Sequence, residues 1–319
     1  MRGVAALLAA VLLLAGAAGC GGGGAEPGAP EGAILVLDFT PNAVHSGIYA
    51  ALRQGFYGDA GIDLAIRRPG ESTDAPKLLA AGRADFAILD IHDLGIARER
   101  GLEPVGLTPI VQRPLAAVIA AGRGPVRRPR DLDGHTVGVT GLPSDEAVVD
   151  SEVSADGGDP AQVRRLTIGF DAVSSLAAGQ VDAATGFWNA EGVALRRRGI
   201  PIRVFKVDDY GAPPYPELVL AASRETIDRD PKLVDSMVAA TTRGYRFAVR
   251  HPAKALDDLL AAVPELDRGD QAAQLRALLP DLRPAPFDAV VLREWAAWDL
   301  EHGLLKRRLD VDEAFRLGP

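Results

Sequence analysis

The sequence predicts an α/β fold built as two lobes with a ligand cleft between them. Three observations carry that expectation. Short apolar, β-branched runs alternate with segments of helical period over most of the chain. One helix–glycine–strand connection occurs in both halves, and the strand-rich region gives way to a purely helical tail. With slightly under 290 residues outside the amino-terminal region, two lobes can each hold a core.

In chain order, residues 34–37 read as a first strand and 44–54 as a helix closed by Gly55. Residues 62–66 form a second strand, 75–81 a helix closed by Gly82, and 85–89 a third strand. The pattern resumes with a strand at 137–140 and a helix at 144–154. Segments 165–168, 173–178, 181–185 and 190–198 then alternate strand and helix. After about Ser223 strands give way to helices at 231–249, 252–262, 270–279 and 287–304. Asp230 caps the first of these and Pro231 opens it. Trp295 and Trp298, at helical spacing in the last helix, read as packing.

The repeated connection is A-G-R-A-D-F-A at 81–87 and A-G-Q-V-D-A-A at 178–184. In each, glycine ends a helix and aspartate opens a strand. Each strand runs into polar residues: Asp90, His92 and Asp93 in one case, Trp188, Asn189 and Glu191 in the other. Ligands of open α/β sheets sit beyond the carboxyl ends of the strands. Two such ends, one per lobe, make facing half-sites.

Charge removes one class of function. With 35 basic and 43 acidic residues, net charge −8, the chain lacks the basic stripe that nucleic-acid binding needs. The five histidines are scattered, with no paired-ligand spacing for a metal, and no P-loop, G-x-S-x-G elbow or strand-linked G-x-G-x-x-G occurs. At the amino terminus, Arg2 precedes an apolar run at 4–14, then small residues, then Cys20. The run has signal-peptide length and is too short to span a bilayer. The arrangement resembles a bacterial lipobox, with Ala17 where leucine is more usual. It implies a signal peptide at 1–19 and lipidation of Cys20, the only cysteine, which therefore has no disulfide partner in the chain. Residues 20–32, rich in Gly, Ala and Pro, read as a flexible tether. No later segment is apolar over a transmembrane length.

The stretch from Asp38 to Tyr49 reads D-F-T-P-N-A-V-H-S-G-I-Y. It resembles the opening motif, D-W-x-P-N-x-x-H-x-G-x-Y, of the thiamine-pyrimidine-precursor binding proteins, solute-binding subunits of ABC-type importers. R-P-G-E at 68–71, G-L-P-S-D-E at 141–146, A-E-G at 190–192 and Y-P-E-L at 215–218 are similar to later landmarks of that family. The resemblance implies a type II periplasmic-binding fold, with lobe I at 33–113 and 216–319 and lobe II at 114–215. It implies a monomer on the outer face of the cell membrane, held there by lipid alone, that serves a permease and an ATPase and needs no cofactor. The wider superfamily includes binders of sulfonates such as taurine, of nitrate and of riboflavin. Two departures are Phe39 in place of Trp and a W-N-A-E-G run at 188–192 in place of a G-W-E-G-like one.

Candidate ligand-binding residues follow. Glu191 matches the family's Glu-Gly position, where a carboxylate accepts from an aminopyrimidine's exocyclic amine; as a helix-start acid it is also favoured by the helix dipole alone. Glu71 and Glu146 are further carboxylates, the latter also at a helix start. Asp38, Asn42, His45 and Tyr49 come from the opening motif, where Asn42 is equally a helix cap. Phe39 and Trp188 are expected to sandwich a flat ring. Asp90 and Tyr215 complete the set. A eukaryotic pyrimidine synthase related to this family carries a pyridoxal-phosphate lysine near the third strand. Here Leu89 falls at that position and His92 is offset by one residue. Without that lysine no Schiff base forms, so the expectation is a binder and not an enzyme.

Overall fold

The computed structural model describes residues 30–70 and 74–318. Ten strands form two sheets of five. The first holds β1 (Glu31–Val36), β2 (Ile62–Arg67), β3 (Phe86–Asp90), β4 (Pro104–Val111) and β10 (Leu218–Ser223), in the order β2-β1-β3-β10-β4. The second holds β5 (Ala116–Ala121), β6 (Thr136–Val139), β7 (Arg164–Thr167), β8 (Ala183–Phe187) and β9 (Ile202–Lys206), in the order β7-β6-β8-β5-β9. The sheets are built alike. β1 runs parallel to β2 and β3 while β10 is antiparallel to its neighbours; β6 runs parallel to β7 and β8 while β5 is antiparallel to its own. The chain passes between sheets twice, at 112–115 and at 207–217.

The connection repeated in the sequence is repeated in space. Gly82 and Gly179 both adopt the left-handed conformation, with φ of 63° and 67°, which lets the helix end and the chain reverse. Asp85 N–H then donates to Ile34 O at 3.0 Å while its carboxylate accepts from Ile34 N at 2.9 Å. Asp182 and Thr136 make the same pair of bonds, both 2.9 Å. In each sheet the aspartate adds a side-chain rung that aligns the third strand with the first.

Thirteen helices are named here in chain order: α1 (Ser46–Arg53), α2 (Phe56–Asp59), α3 (Asp74–Ala80), α4 (Ile91–Glu99), α5 (Pro143–Ala155), α6 (Ala172–Ala177), α7 (Glu191–Arg197), α8 (Arg224–Arg229), α9 (Pro231–Arg250), α10 (Pro252–Ala262), α11 (Arg268–Leu278), α12 (Ala289–Glu301) and α13 (Val311–Ala314). β3 and β10 are buried along almost their whole length, as strands covered on both faces are. α1 and α9 cross closely enough that a β-carbon on Gly244 would lie 2.2 Å from Gly47 O. Trp295 and Trp298 of α12 are buried, and the Trp298 indole N–H donates to Ser151 Oγ on α5 at 3.4 Å. α12 thus ties its own sheet to the helix layer of the other.

Several expectations shift. Glu31 and Gly32, read as the end of a tether, are the first rungs of β1, paired with Ile62 and Asp63 of β2. The helix expected from 44 begins as a 3-10 turn (Ala43–His45), because the Asn42 side chain accepts from Val44 N and tightens the first turn. β4, β5, β9 and β10 were not singled out in the sequence. Pro104 and Pro109 break up β4, and Arg203 and Lys206 interrupt β9.

Candidate functional site

The carboxyl ends of the parallel strands in the two sheets face one cleft of about 320 Å³. That lies at the small end of ordinary small-molecule sites. On the first sheet's side it is bordered by Asp38 and Asn42 beyond β1, by Asp90 at the end of β3 with His92 and Asp93 after it, and by Glu217 before β10. Thr140 and Asp145 beyond β6, and Phe187 at the end of β8 with Asn189 and Glu191 after it, border the opposite side. Phe39 and Phe170 stand at the mouth, and α11 supplies one wall.

The opening motif builds a rigid rim. His45 is fully buried; its Nδ1 accepts from Asn42 N–H at 3.1 Å, so Nε2 carries the proton and donates to Asp38 Oδ1 at 2.8 Å. His45 therefore does not border the cleft but fixes Asp38, which does. Asn42 is both the cap of the following turn and a cleft residue.

Beneath the rim lies a buried charge cluster. Asp90 Oδ1 caps α4 by accepting from His92 N at 2.8 Å. The His92 ring reaches Asp299 Oδ1 on α12 at 2.8 Å from Nδ1, and Tyr215 packs edge-on against it at 4.9 Å. Glu217 accepts from Leu115 N at 2.5 Å, joining the two crossing segments. Burial disfavours a charged His92, but Asp299, then Asp90 and Glu217, outweigh it and hold its pKa at about 10. Burial and the neighbouring Asp90 raise Glu217 to about 8 and Asp93 to about 7. Across the cleft, burial raises the Glu191 pKa, opposed by the 2.8 Å bond that Glu191 accepts from Phe187 N.

Of the residues expected to bind ligand, the structure brings Asp38, Phe39, Asn42, Asp90 and Glu191 to the cleft. Glu71 and Cys20 lie outside the described residues. The others are placed elsewhere. Glu146 is half-exposed and pairs with Arg165; its neighbour Asp145 faces the cleft instead, because successive helix positions point about 100° apart. Trp188 is buried, with its indole N–H on Pro114 O at 3.0 Å and Lys206 Nζ 3.9 Å from the ring centre. The side chain that borders the cleft there is Phe187. The expected Phe39–Trp188 sandwich is thus absent; Phe39 instead meets Phe170, ring centres 5.2 Å apart and tilted by 43°. Tyr49 and Tyr215 are core residues.

Phe170, Glu217, Gln271 and Gln274 were not foreseen as cleft residues. The last pair had a legible signal: in α11 the buried positions are Gln271, Gln274, Leu275 and Leu278. Two glutamines thus occupy an apolar stripe of spacing i, i+3, i+4, i+7.

Comparison with known proteins agrees with this architecture. The model of a family described as NMT1/THI5 like matches residues 42–255. The formylaminopyrimidine-binding protein of Halalkalibacterium halodurans is 32% identical over 291 residues, 88% of either chain. A 4-amino-5-hydroxymethyl-2-methylpyrimidine phosphate synthase of Legionella pneumophila is 24% identical over 235 residues, 73% of this chain and 74% of that one. Among solved structures, the periplasmic aliphatic sulphonate-binding protein SsuA from Escherichia coli superposes with a TM-score of 0.75 at 16% identity, over 89% of this chain and 97% of that one. The two-lobed α/β fold expected from the sequence is the fold found.

Proposed function

Because the chain belongs to the NMT1/THI5-like family, we propose that it is an extracytoplasmic solute-binding protein of an ABC importer whose ligand is a thiamine pyrimidine precursor. The lobes are taken as 33–113 with 216–319, and 114–215. The observation that carries the ligand class is the small cleft with Glu191 at one end and carboxylates along its other side. A carboxyl whose pKa burial has raised is suited to share a proton with a weakly basic aminated ring. An anionic ligand would face Asp38, Asp90, Asp93, Glu191 and Glu217. Among the described residues the one cationic side chain at the cleft, His92, is already engaged by Asp299. That disfavours a sulfonate or nitrate.

The same relatives include a synthase, so catalysis is the rival reading. No lysine borders the cleft among the described residues; Lys206 instead sits on Trp188. The residues at hand therefore do not fit a pyridoxal-phosphate site, and the reading is binding without turnover. Lipidation of Cys20 would hold the protein as a monomer at the outer membrane face, for a permease and an ATPase to draw on.

Calorimetry decides the ligand class. The purified protein is titrated with 4-amino-5-hydroxymethyl-2-methylpyrimidine and its formylated aminomethyl analogue, beside taurine and riboflavin. A pyrimidine should bind and be recovered unaltered, and Glu191→Gln should weaken it about ten- to a hundredfold, the worth of a buried hydrogen bond to a charged group. Tight binding of taurine or riboflavin with failure of both pyrimidines would overturn the ligand class. Recovery of a converted product would overturn the binder reading.

A further inference from the structure

One wall of the cleft is made of carboxamides. Asn189, between β8 and α7, is 1% exposed, and Gln271 and Gln274 on α11 are 6% and 7% exposed. All three border the cleft, and each has a buried side-chain oxygen with no hydrogen-bond partner among the described residues. Buried polar atoms are nearly always partnered, since otherwise the desolvation of each is uncompensated. Three unpartnered amide oxygens around one cavity therefore call for a common explanation. Helix packing does not supply one, because an apolar side chain would serve the stripe of α11 that continues as Leu275 and Leu278.

The wall is also held in register with the opposite lobe. Arg197, at the end of α7, pairs with Asp270 and Asp267 at the start of α11. Gly269 makes room for it, as a β-carbon there would lie 2.3 Å from the Arg197 Nη2. Asn189 lies just ahead of α7, so this contact links the segment that carries it to the helix of Gln271 and Gln274. An amide offers a carbonyl or an NH2 according to its rotation. A group of three such amides suits a neutral substituent that both donates and accepts, and gives no advantage to a charged one.

We propose that Asn189, Gln271 and Gln274 form a second polar subsite, which takes an amide or hydroxyl arm of the ligand while Glu191 reads the amine on its ring. Sharing the premise of the pyrimidine reading, the subsite makes a separate claim, about what the arm must be.

The test compares three pyrimidines by calorimetry: one with a hydroxymethyl arm, one with a formylaminomethyl arm, and one in which the arm is a bare methyl group. The wild-type protein should bind the armed ligands at least tenfold more tightly than the methyl analogue. Gln271→Leu and Gln274→Leu should bring the armed ligands close to the methyl analogue and leave the methyl analogue's affinity within about twofold. Each leucine should leave the melting temperature unchanged or raise it, since it completes an apolar stripe; this separates loss of the subsite from loss of the fold. If the glutamine variants keep the full preference for the arm, the subsite is refuted while the pyrimidine reading stands. If wild type binds none of the three, both fall together, and that outcome differs visibly from the first.

Discussion

Replacing Asp299 by asparagine removes one charge and little else, which makes it a sensitive probe of the cluster under the cleft. Asp299 is fully buried, and its Oδ1 lies 2.8 Å from His92 Nδ1. Asparagine can still accept that hydrogen bond, but it no longer offsets the imidazolium. Removing one partner of a buried pair costs roughly 3–5 kcal/mol when the other is left uncompensated. Asp90 and Glu217 remain near His92, so a loss of about 2–4 kcal/mol is expected, judged against that range. At this chain length each kcal/mol corresponds to roughly 2 °C, so the melting temperature at pH 7 should fall by about 4–8 °C.

The pH profile carries the sharper signature. The folded-state pKa of His92, about 10, lies above the ordinary 6.5. The stability it contributes is therefore complete below pH 6.5 and lost as pH rises to about 10. Glu217, raised from 4.5 to about 8, acts in the same direction over a lower window. Wild-type stability should fall between pH 7 and 9 at up to about 1.4 kcal/mol per pH unit for each linked proton. Asp299→Asn removes the largest influence holding His92 protonated, so its profile should be flatter over that interval. Thermal melts by circular dichroism at half-unit steps of pH would show both effects. Parallel profiles for the two proteins, or a loss below about 1 kcal/mol at pH 7 against the 2–4 expected, would refute the charge assignment.

Two further outcomes are expected. Gly244→Ala would place a β-carbon 2.2 Å from Gly47 O and 2.6 Å from Ala51 Cβ. Overpacking at the crossing of α1 and α9 should cost at least about 1–3 kcal/mol in urea unfolding, whereas Gly58→Ala, with nothing within 4 Å, should be nearly neutral; equal midpoints would remove the packing argument. Cys20→Ser should move the protein from the detergent phase to the aqueous phase on partitioning, and a wild type already in the aqueous phase would show the anchor to be wrong.

Local chemistry was legible in the sequence wherever the constraint acts within a few residues. The alternation of strands and helices, the Gly82–Asp85 and Gly179–Asp182 connections and the Asn42 cap all follow from short-range geometry, and the structure contains each of them. So does the placement of Asp38, Asp90 and Glu191, because the residues after a parallel strand must emerge at the sheet's carboxyl edge. What only the tertiary structure decided is which of two neighbouring residues faces the cleft. Asp145 rather than Glu146, and Phe187 rather than Trp188, turn to the cleft. Adjacent residues on a helix or beyond a strand point in different directions, and partners distant in the chain select between them: Arg165 holds Glu146, and Pro114 holds the Trp188 indole. Glu217 was hidden for the same reason, and the stripe of α11 marked its glutamines as unusual without showing what they face. Their neighbours in the cleft belong to the other sheet's segments, from Leu115 to Asn189, and a pairing over such separations exists only once the chain has crossed between the sheets and returned.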